Sequence, residues 1–188
     1  MTEKATYHEE EPPKASFETG QKIESLTEEE RRVLSDYQAS GGNVNIYLGK
    51  KAANQTSHIK PDLVARFDRE VEVMDSIFRR IDGIAKPLTV HRGLSLDTPS
   101  PDEFTSPCYV GTTLDPEVNV DTITRRTTRK IVQIIRLPQG QKGIYLPDYM
   151  PNDAFGEREF LLPRNTKFRI IKRETINNIL VEAVEIIE

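Results

Sequence analysis

Leu63, Phe67, Val71, Met74 and Phe78 recur at steps of three and four residues behind Pro61. That spacing lines them along one face of a helix, opened by the proline and stopped at Asp82-Gly83. A second helix is predicted upstream. Thr27-Glu28-Glu29-Glu30 has the form of a capping box, with Thr27 as N-cap and Glu30 reaching back. This helix should run to about Ala39, where Gly41-Gly42 ends it. After Pro87 the period changes. Short β-rich runs follow at Leu88–His91, Tyr109–Leu114, Ile131–Leu137, Gly143–Leu146, Arg158–Leu162, Lys167–Ile171 and Ile179–Ile187. Turn signals separate them, among them Pro138-Gln139-Gly140, Pro147-Asp148 and Pro163-Arg164-Asn165. Helices first and strands afterwards predict an α+β domain and not an alternating α/β one.

The pattern fades in residues 1–24, which are rich in Glu, Lys and Pro. A segment of that composition buries too little to offset its ordering entropy, so it is expected as an acidic, disordered tail ahead of one folded domain over 25–188. The 188 residues suffice for one core. A net charge of −4, from 26 basic and 30 acidic residues, gives no global attraction to nucleic acid or an anionic membrane. The single cysteine, Cys108, excludes an internal disulfide and a cysteine-rich zinc site, and it fits a reducing compartment. His8, His58 and His91 are too scattered for a metal triad, so no metal is expected. No apolar run reaches membrane-span length, and the start lacks the basic-then-apolar pattern of a signal peptide. The expected setting is cytoplasmic, as a monomer.

Three constellations lie on or beside the predicted strands. His91-Arg92-Gly93-Leu94 ends the first strand. An arginine there is fixed by the sheet and can fork onto a phosphate or carboxylate, and the following glycine permits close approach of a flat ligand. On alternating geometry His91 faces away from it. In Tyr109-Val110-Gly111-Thr112-Thr113-Leu114, Gly111 and Thr113 share one face and Thr112 takes the other. In Glu157-Arg158-Glu159-Phe160-Leu161-Leu162, strand parity puts Glu157 and Glu159 on one face, about 7 Å apart. Two such carboxylates repel, which destabilises the strand unless a site uses them. Taken singly, each segment reads more readily as ordinary strand or solvated surface than as a site. No dinucleotide-binding glycine fingerprint or P-loop occurs.

In this order, the three segments resemble the mono-ADP-ribosyltransferase family of the arginine–serine–glutamate type. The likeness rests on "Val-His-Arg-Gly-Leu", on "Phe-Thr-Ser-Pro-Cys-Tyr-Val-Gly-Thr-Thr-Leu" and on "Glu-Arg-Glu-Phe-Leu-Leu-Pro-Arg-Asn-Thr-Lys-Phe". Upstream, "Leu-Thr-Glu-Glu-Glu" and "Val-Asn-Ile-Tyr-Leu" are similar to the family's helical N-terminal half. Size and the absence of an export signal make the chain most similar to the small transferases of T-even-type bacteriophages. A toxin catalytic domain or bacterial effector comes second.

The resemblance implies a helical half followed by two small, mostly antiparallel sheets that form an NAD-binding cleft. It implies NAD as co-substrate and arginine of a host protein, from the transcription or translation machinery, as acceptor. RNA with a 5′-NAD cap is a candidate donor. Arg92 would anchor the dinucleotide, Gly93 would face the nicotinamide amide, and Glu159 would hold the ribose. Glu157 would orient the acceptor guanidinium. Thr112, Thr113, Asn45, Arg125 and Arg126 would border the cofactor, with Lys50 a weaker candidate. Arg129 and Lys130 continue the basic run. Tyr149 and Phe155 would contact the target from the loop ahead of the glutamate strand. One departure stands out. The family's first serine of Ser-Thr-Ser helps hold the catalytic glutamate, and that slot is Gly111 here, so Thr113 is expected to supply the missing hydroxyl. The alternatives are a module of this fold that binds NAD or protein with little turnover, and an NAD glycohydrolase.

Overall fold

The structure is a computed structural model that describes residues 16, 18–22, 24–40, 42–94, 99–116, 130–150 and 158–187. Helices come first: α1 (Glu28–Ser40), α2 (Gly42–Ala52) and α3 (Pro61–Arg80). The capping box forms as predicted. The Thr27 N–H donates to Glu30 Oε2 at 2.8 Å, and the Glu30 N–H donates to Thr27 Oγ1 at 3.2 Å. Arg80, from the end of α3, then forks onto both oxygens of Glu30 at 2.8 and 3.0 Å. Pro61 opens α3, and Val71, Met74, Ile77 and Phe78 are buried along it. Leu63, expected on that face, is exposed. Helix α1 ends at Ser40, at the stop that Gly41-Gly42 predicts, and a second helix, α2, then begins at Gly42 itself. Val44, Tyr47 and Leu48 are buried at helical spacing, and this packing outweighs the low propensity of Gly42 and Gly49.

The strands are β1 (Leu88–Leu94), β2 (Glu103–Thr105), β3 (Val110–Thr113), β4 (Lys130–Leu137), β5 (Ile144–Tyr145), β6 (Glu159–Leu162), β7 (Lys167–Ile176) and β8 (Ile179–Ile187). A single helical turn, α4 (Leu146–Tyr149), follows β5. All eight strands join in one sheet of order β2-β7-β8-β4-β1-β3-β6-β5, antiparallel except for β4 and β8. The two sheets expected from the family resemblance are halves of it. They meet at β1 and β3 through the register pair His91–Thr113. The strand β2 was not anticipated. Nor was the length of β7, which continues past a bulge at Ile171 to a turn where Asn177 and Asn178 take φ of 50° and 64°.

Two cores result. One lies between the helices and the β3-β6-β5 half, where Leu34, Tyr37, Met74 and Phe78 meet Tyr109, Ile144 and Leu161. The other lies between the two halves, where Val90, Ile135, Val184 and Phe168 meet Val110, Phe160 and Leu162. The sheet therefore bends back on itself across the β1–β3 joint.

The segment 1–24 is not a tail throughout. Ser16, Thr19 and Gln21 are buried. The Gln21 amide donates to the carbonyls of Asp82 (2.8 Å) and Gly143 (3.0 Å), and Glu18 pairs with Arg158 at 2.7 Å. These backbone and ionic contacts offset the ordering entropy that composition alone left unmatched.

Candidate functional site

The β3–β6 ladder sets Thr113 directly opposite Glu159 and Gly111 opposite Leu161, so Gly111, Thr113 and Glu159 share the helix-facing side of that half. Gly111 lies next to the Glu159 carboxylate: a Cβ built on it would stand 2.9 Å from Glu159 Oε1. The glycine thus makes room for the acid where the resemblance expects a serine to hold it. Thr113 is buried, and its hydroxyl accepts the Asp115 N–H at 2.9 Å. Thr112 turns to the other face, where its hydroxyl donates to the Phe160 carbonyl at 2.5 Å inside the core between the halves.

Arg92 stands one residue beyond the joint. It shares a face with Val90 and Leu94, opposite Gln133 on β4. Among the described residues, none forms a hydrogen bond or ion pair with its guanidinium. Burial pushes its pKa down, while Tyr37 and Cys108 pull it back up. A partly buried arginine without a counter-charge destabilises the fold until an anion reaches it. Gly93 follows, paired with Val132. His91 faces the other way, as expected, and burial lowers its pKa against the opposing pull of Asp115.

Tyr37, near the end of α1, links the two sides and was not singled out in the sequence. Burial raises its phenol pKa, and the Glu159 carboxylate adds to this, while Asn45 and Arg92 oppose it. The hydroxyl therefore lies within electrostatic reach of both the acid and the arginine. Its place on the buried face, three residues after Leu34, was the available signal. Asn45, expected to border the cofactor, lies beside Tyr37 and Tyr109 with its amide committed to the protein. It donates to Tyr37 Oη at 3.2 Å and to the Tyr109 carbonyl at 3.0 Å, and it accepts the Tyr109 N–H at 3.1 Å. Cys108 donates its S–H to the Asn45 carbonyl at 3.2 Å. Burial raises the Cys108 pKa, and Arg92 draws it down. Lys50 is exposed on the last turn of α2.

The strand β6 starts at Glu159, and Arg158 before it has φ of 45°. Left-handed backbone interrupts strand alternation, so the parity that joined Glu157 to Glu159 does not run through residue 158. Glu157 itself lies outside the described residues, as do Arg125, Arg126, Arg129 and Phe155. Lys130 opens β4. Tyr149 ends α4, and its hydroxyl accepts the Glu24 N–H at 3.4 Å.

A helical layer over a bent, mostly antiparallel sheet is the fold of the ADP-ribosyltransferase toxins. Residues 100–188 match the sequence model of the ADP-ribosyltransferase exoenzyme family. The chain is similar in structure to Plx2a, an ADP-ribosyltransferase toxin from Paenibacillus larvae, at 22% identity and a TM-score of 0.66, over 87% of this chain and 88% of that one. It is similar to Vis toxin from Vibrio splendidus at 20% identity and a TM-score of 0.67, over 87% and 75%. It also resembles the C3 exoenzyme of Clostridium limosum at 16% identity and a TM-score of 0.64, over 87% of each chain. No curated protein matches in sequence.

Proposed function

We propose that this protein is a mono-ADP-ribosyltransferase that cleaves NAD and passes ADP-ribose to an arginine of a protein. The observation that carries the reading is Arg92: a partly buried cation with no partner among the described residues, close to Tyr37, whose phenol also feels the Glu159 carboxylate. Such a cation suits the phosphates of a dinucleotide.

Cleavage of the nicotinamide–ribose bond builds positive charge on the ribose, as glycoside cleavage does. The Glu159 carboxylate, fixed in β6 and admitted by Gly111, is suited to stabilise that charge. Arg92 holds the anionic part of the substrate, with Gly93 offering backbone groups beside it. Thr113, opposite Glu159, keeps the acid in register. Arg125 and Arg126 complete the phosphate-binding surface. Glu157 orients the acceptor and takes its proton, because a guanidinium is protonated at neutral pH and is a poor nucleophile. Tyr149 and Phe155 meet the target protein. Vis, which shares the fold, has been crystallised with agmatine, itself a guanidinium compound, and this favours an arginine acceptor. The reading extends to a host protein of the transcription or translation machinery as target, to NAD-capped RNA as an additional donor, and to a monomeric enzyme in a phage-infected cytoplasm.

The test is incubation with labelled NAD and a host lysate, beside Glu159→Ala. Labelled bands that vanish in the variant and are removed by arginine-linkage hydrolases are expected. Nicotinamide release without bands would make the protein a glycohydrolase. Absence of both, with NAD still bound, would leave a binding module. Glu157→Gln should abolish transfer while NAD cleavage continues.

A further inference from the structure

One row of side chains crosses four strands of the larger half of the sheet. Arg92 (β1) faces Gln133 (β4), Gln133 faces Glu182 (β8), and Glu182 faces Arg173 (β7). The rows on either side are apolar or nearly so: Val90–Ile135–Val184–Ile170 before it and Leu94–Ile131–Leu180–Thr175 after it. Gln133 is 1% exposed and Glu182 is 0% exposed. Polar groups at that depth are retained only when something satisfies them.

Nearly all of this row is satisfied. Glu182 Oε2 accepts the Ser100 hydroxyl at 2.8 Å and Gln133 Nε2 at 2.9 Å, and Glu182 Oε1 accepts Arg173 Nε at 3.3 Å. Gln133 Nε2 also donates to Ser100 Oγ at 3.1 Å. Arg173 continues to the Ser100 carbonyl at 2.5 Å and to Asp102 at 2.6 Å. The acceptors on the Glu182 side fix which way the amide points, since only its NH₂ end can serve them. What remains is Gln133 Oε1, a buried acceptor without a hydrogen-bond partner. On the adjacent strand directly across from it stands Arg92, whose guanidinium has no hydrogen-bond partner among the described residues. Side chains at directly opposed positions start about 5 Å apart at Cβ, within reach of these two long residues.

The two groups stand opposed and unpaired in the structure. We infer that Gln133 is a positioning residue for Arg92: a rotation of the arginine side chain brings one guanidinium N–H onto the amide oxygen, which Glu182 and Ser100 orient, and aims the remaining donors at the anion. This rests on the reading of Arg92 as the anchor for NAD. It adds that the anchor is aimed from behind by a buried row of which only Arg92 touches substrate. An arginine fork held on one side loses less freedom on binding, which improves affinity without a new contact.

The experiment is a double-mutant cycle on NAD affinity, measured by calorimetry with wild type, Gln133→Met, Arg92→Lys and the double variant. Gln133→Met should weaken NAD roughly 10-fold, the scale of one hydrogen bond to a charged group. It should have no further effect once Arg92 is lysine. Gln133→Asn, which draws the amide back by one methylene, should behave likewise and replaces Gln133→Met if that variant does not fold. Additive losses would mean that Gln133 contacts the ligand itself, and unchanged affinity would mean that the row is only structural; either overturns the inference. A second readout needs no NAD. Hydrogen exchange at the Arg92 Nε–H should be slower in ligand-free wild type than in Gln133→Met. If wild type does not bind NAD, the functional reading falls and the exchange comparison decides the inference, equal rates overturning it.

Discussion

Gly111 and Glu159 are in contact range across the β3–β6 ladder: a Cβ on the glycine would come to 2.9 Å from Glu159 Oε1. The clash is with the far end of a flexible side chain and not with backbone, so the fold can absorb it by moving the carboxylate. If Glu159 acts on the ribose as proposed, it cannot move so freely. Gly111→Ala should melt at or slightly above the wild-type temperature, since alanine is favoured over glycine within a strand. NAD cleavage should fall by ~10-fold or more, because small displacements of a reacting group have large kinetic effects. Gly111→Ser should retain more activity, its hydroxyl giving the displaced acid a partner. Undiminished nicotinamide release by Gly111→Ala would show that the carboxylate position does not matter.

Arg92 points to a trade of stability for binding. Its guanidinium is partly buried without a counter-charge among the described residues. Arg92→Met should therefore raise stability in urea titrations by ~1 kcal/mol while NAD binding collapses. Destabilisation by this change would mean that the cation supports the fold.

Asn45 should act as a brace. Its amide ties α2 to both backbone groups of Tyr109 and to the Tyr37 hydroxyl. Asn45→Ala strips partners from a buried stretch of backbone and should lower stability by about 2 kcal/mol. Asn45→Asp should also destabilise, since it keeps the acceptor for the Tyr109 N–H but sets a carboxylate against the Tyr109 carbonyl. Normal thermal stability combined with lost NAD affinity would return Asn45 to the role of direct ligand.

The Arg80–Glu30 pair predicts a pH dependence. The Arg80 guanidinium holds the Glu30 carboxyl below its ordinary value near 4.5, against burial, which pushes it up. A carboxyl depressed in the folded state adds stability above its unfolded pKa and loses it as pH falls through the folded one. The stability gap between wild type and Arg80→Met should therefore be widest above about pH 5 and narrow towards about pH 3. A gap that does not change with pH would assign the effect of Arg80 to packing.

The capping box at Thr27–Glu30, the stripe on α3 and the order of the three motif segments were all legible in the chain, because each is set by local spacing. The periodicity reading missed helix α2, which only the resemblance of Val44–Leu48 pointed to, because two glycines masked a short buried face. The strand β2 and the second half of β7 were missed because residues such as Glu103, Lys172 and Arg173 are polar and take their strand state from their neighbours. The parity argument for Glu157 presumed an extended Arg158, whose φ of 45° no local rule announces.

Residue type and the spacing of a few positions were enough for the α+β class, while Arg92, Glu159 and the departure at Gly111 were singled out only by the family resemblance of the three ordered segments. Three further relations came from the folded chain: Tyr37 stands within electrostatic reach of both charged groups, Ser16, Thr19 and Gln21 belong to the fold, and Gln133 stands opposite Arg92 with an open acceptor. Each of these joins residues distant along the chain. The sheet register and the bend at the β1–β3 joint bring them together, and neither is encoded in any one segment.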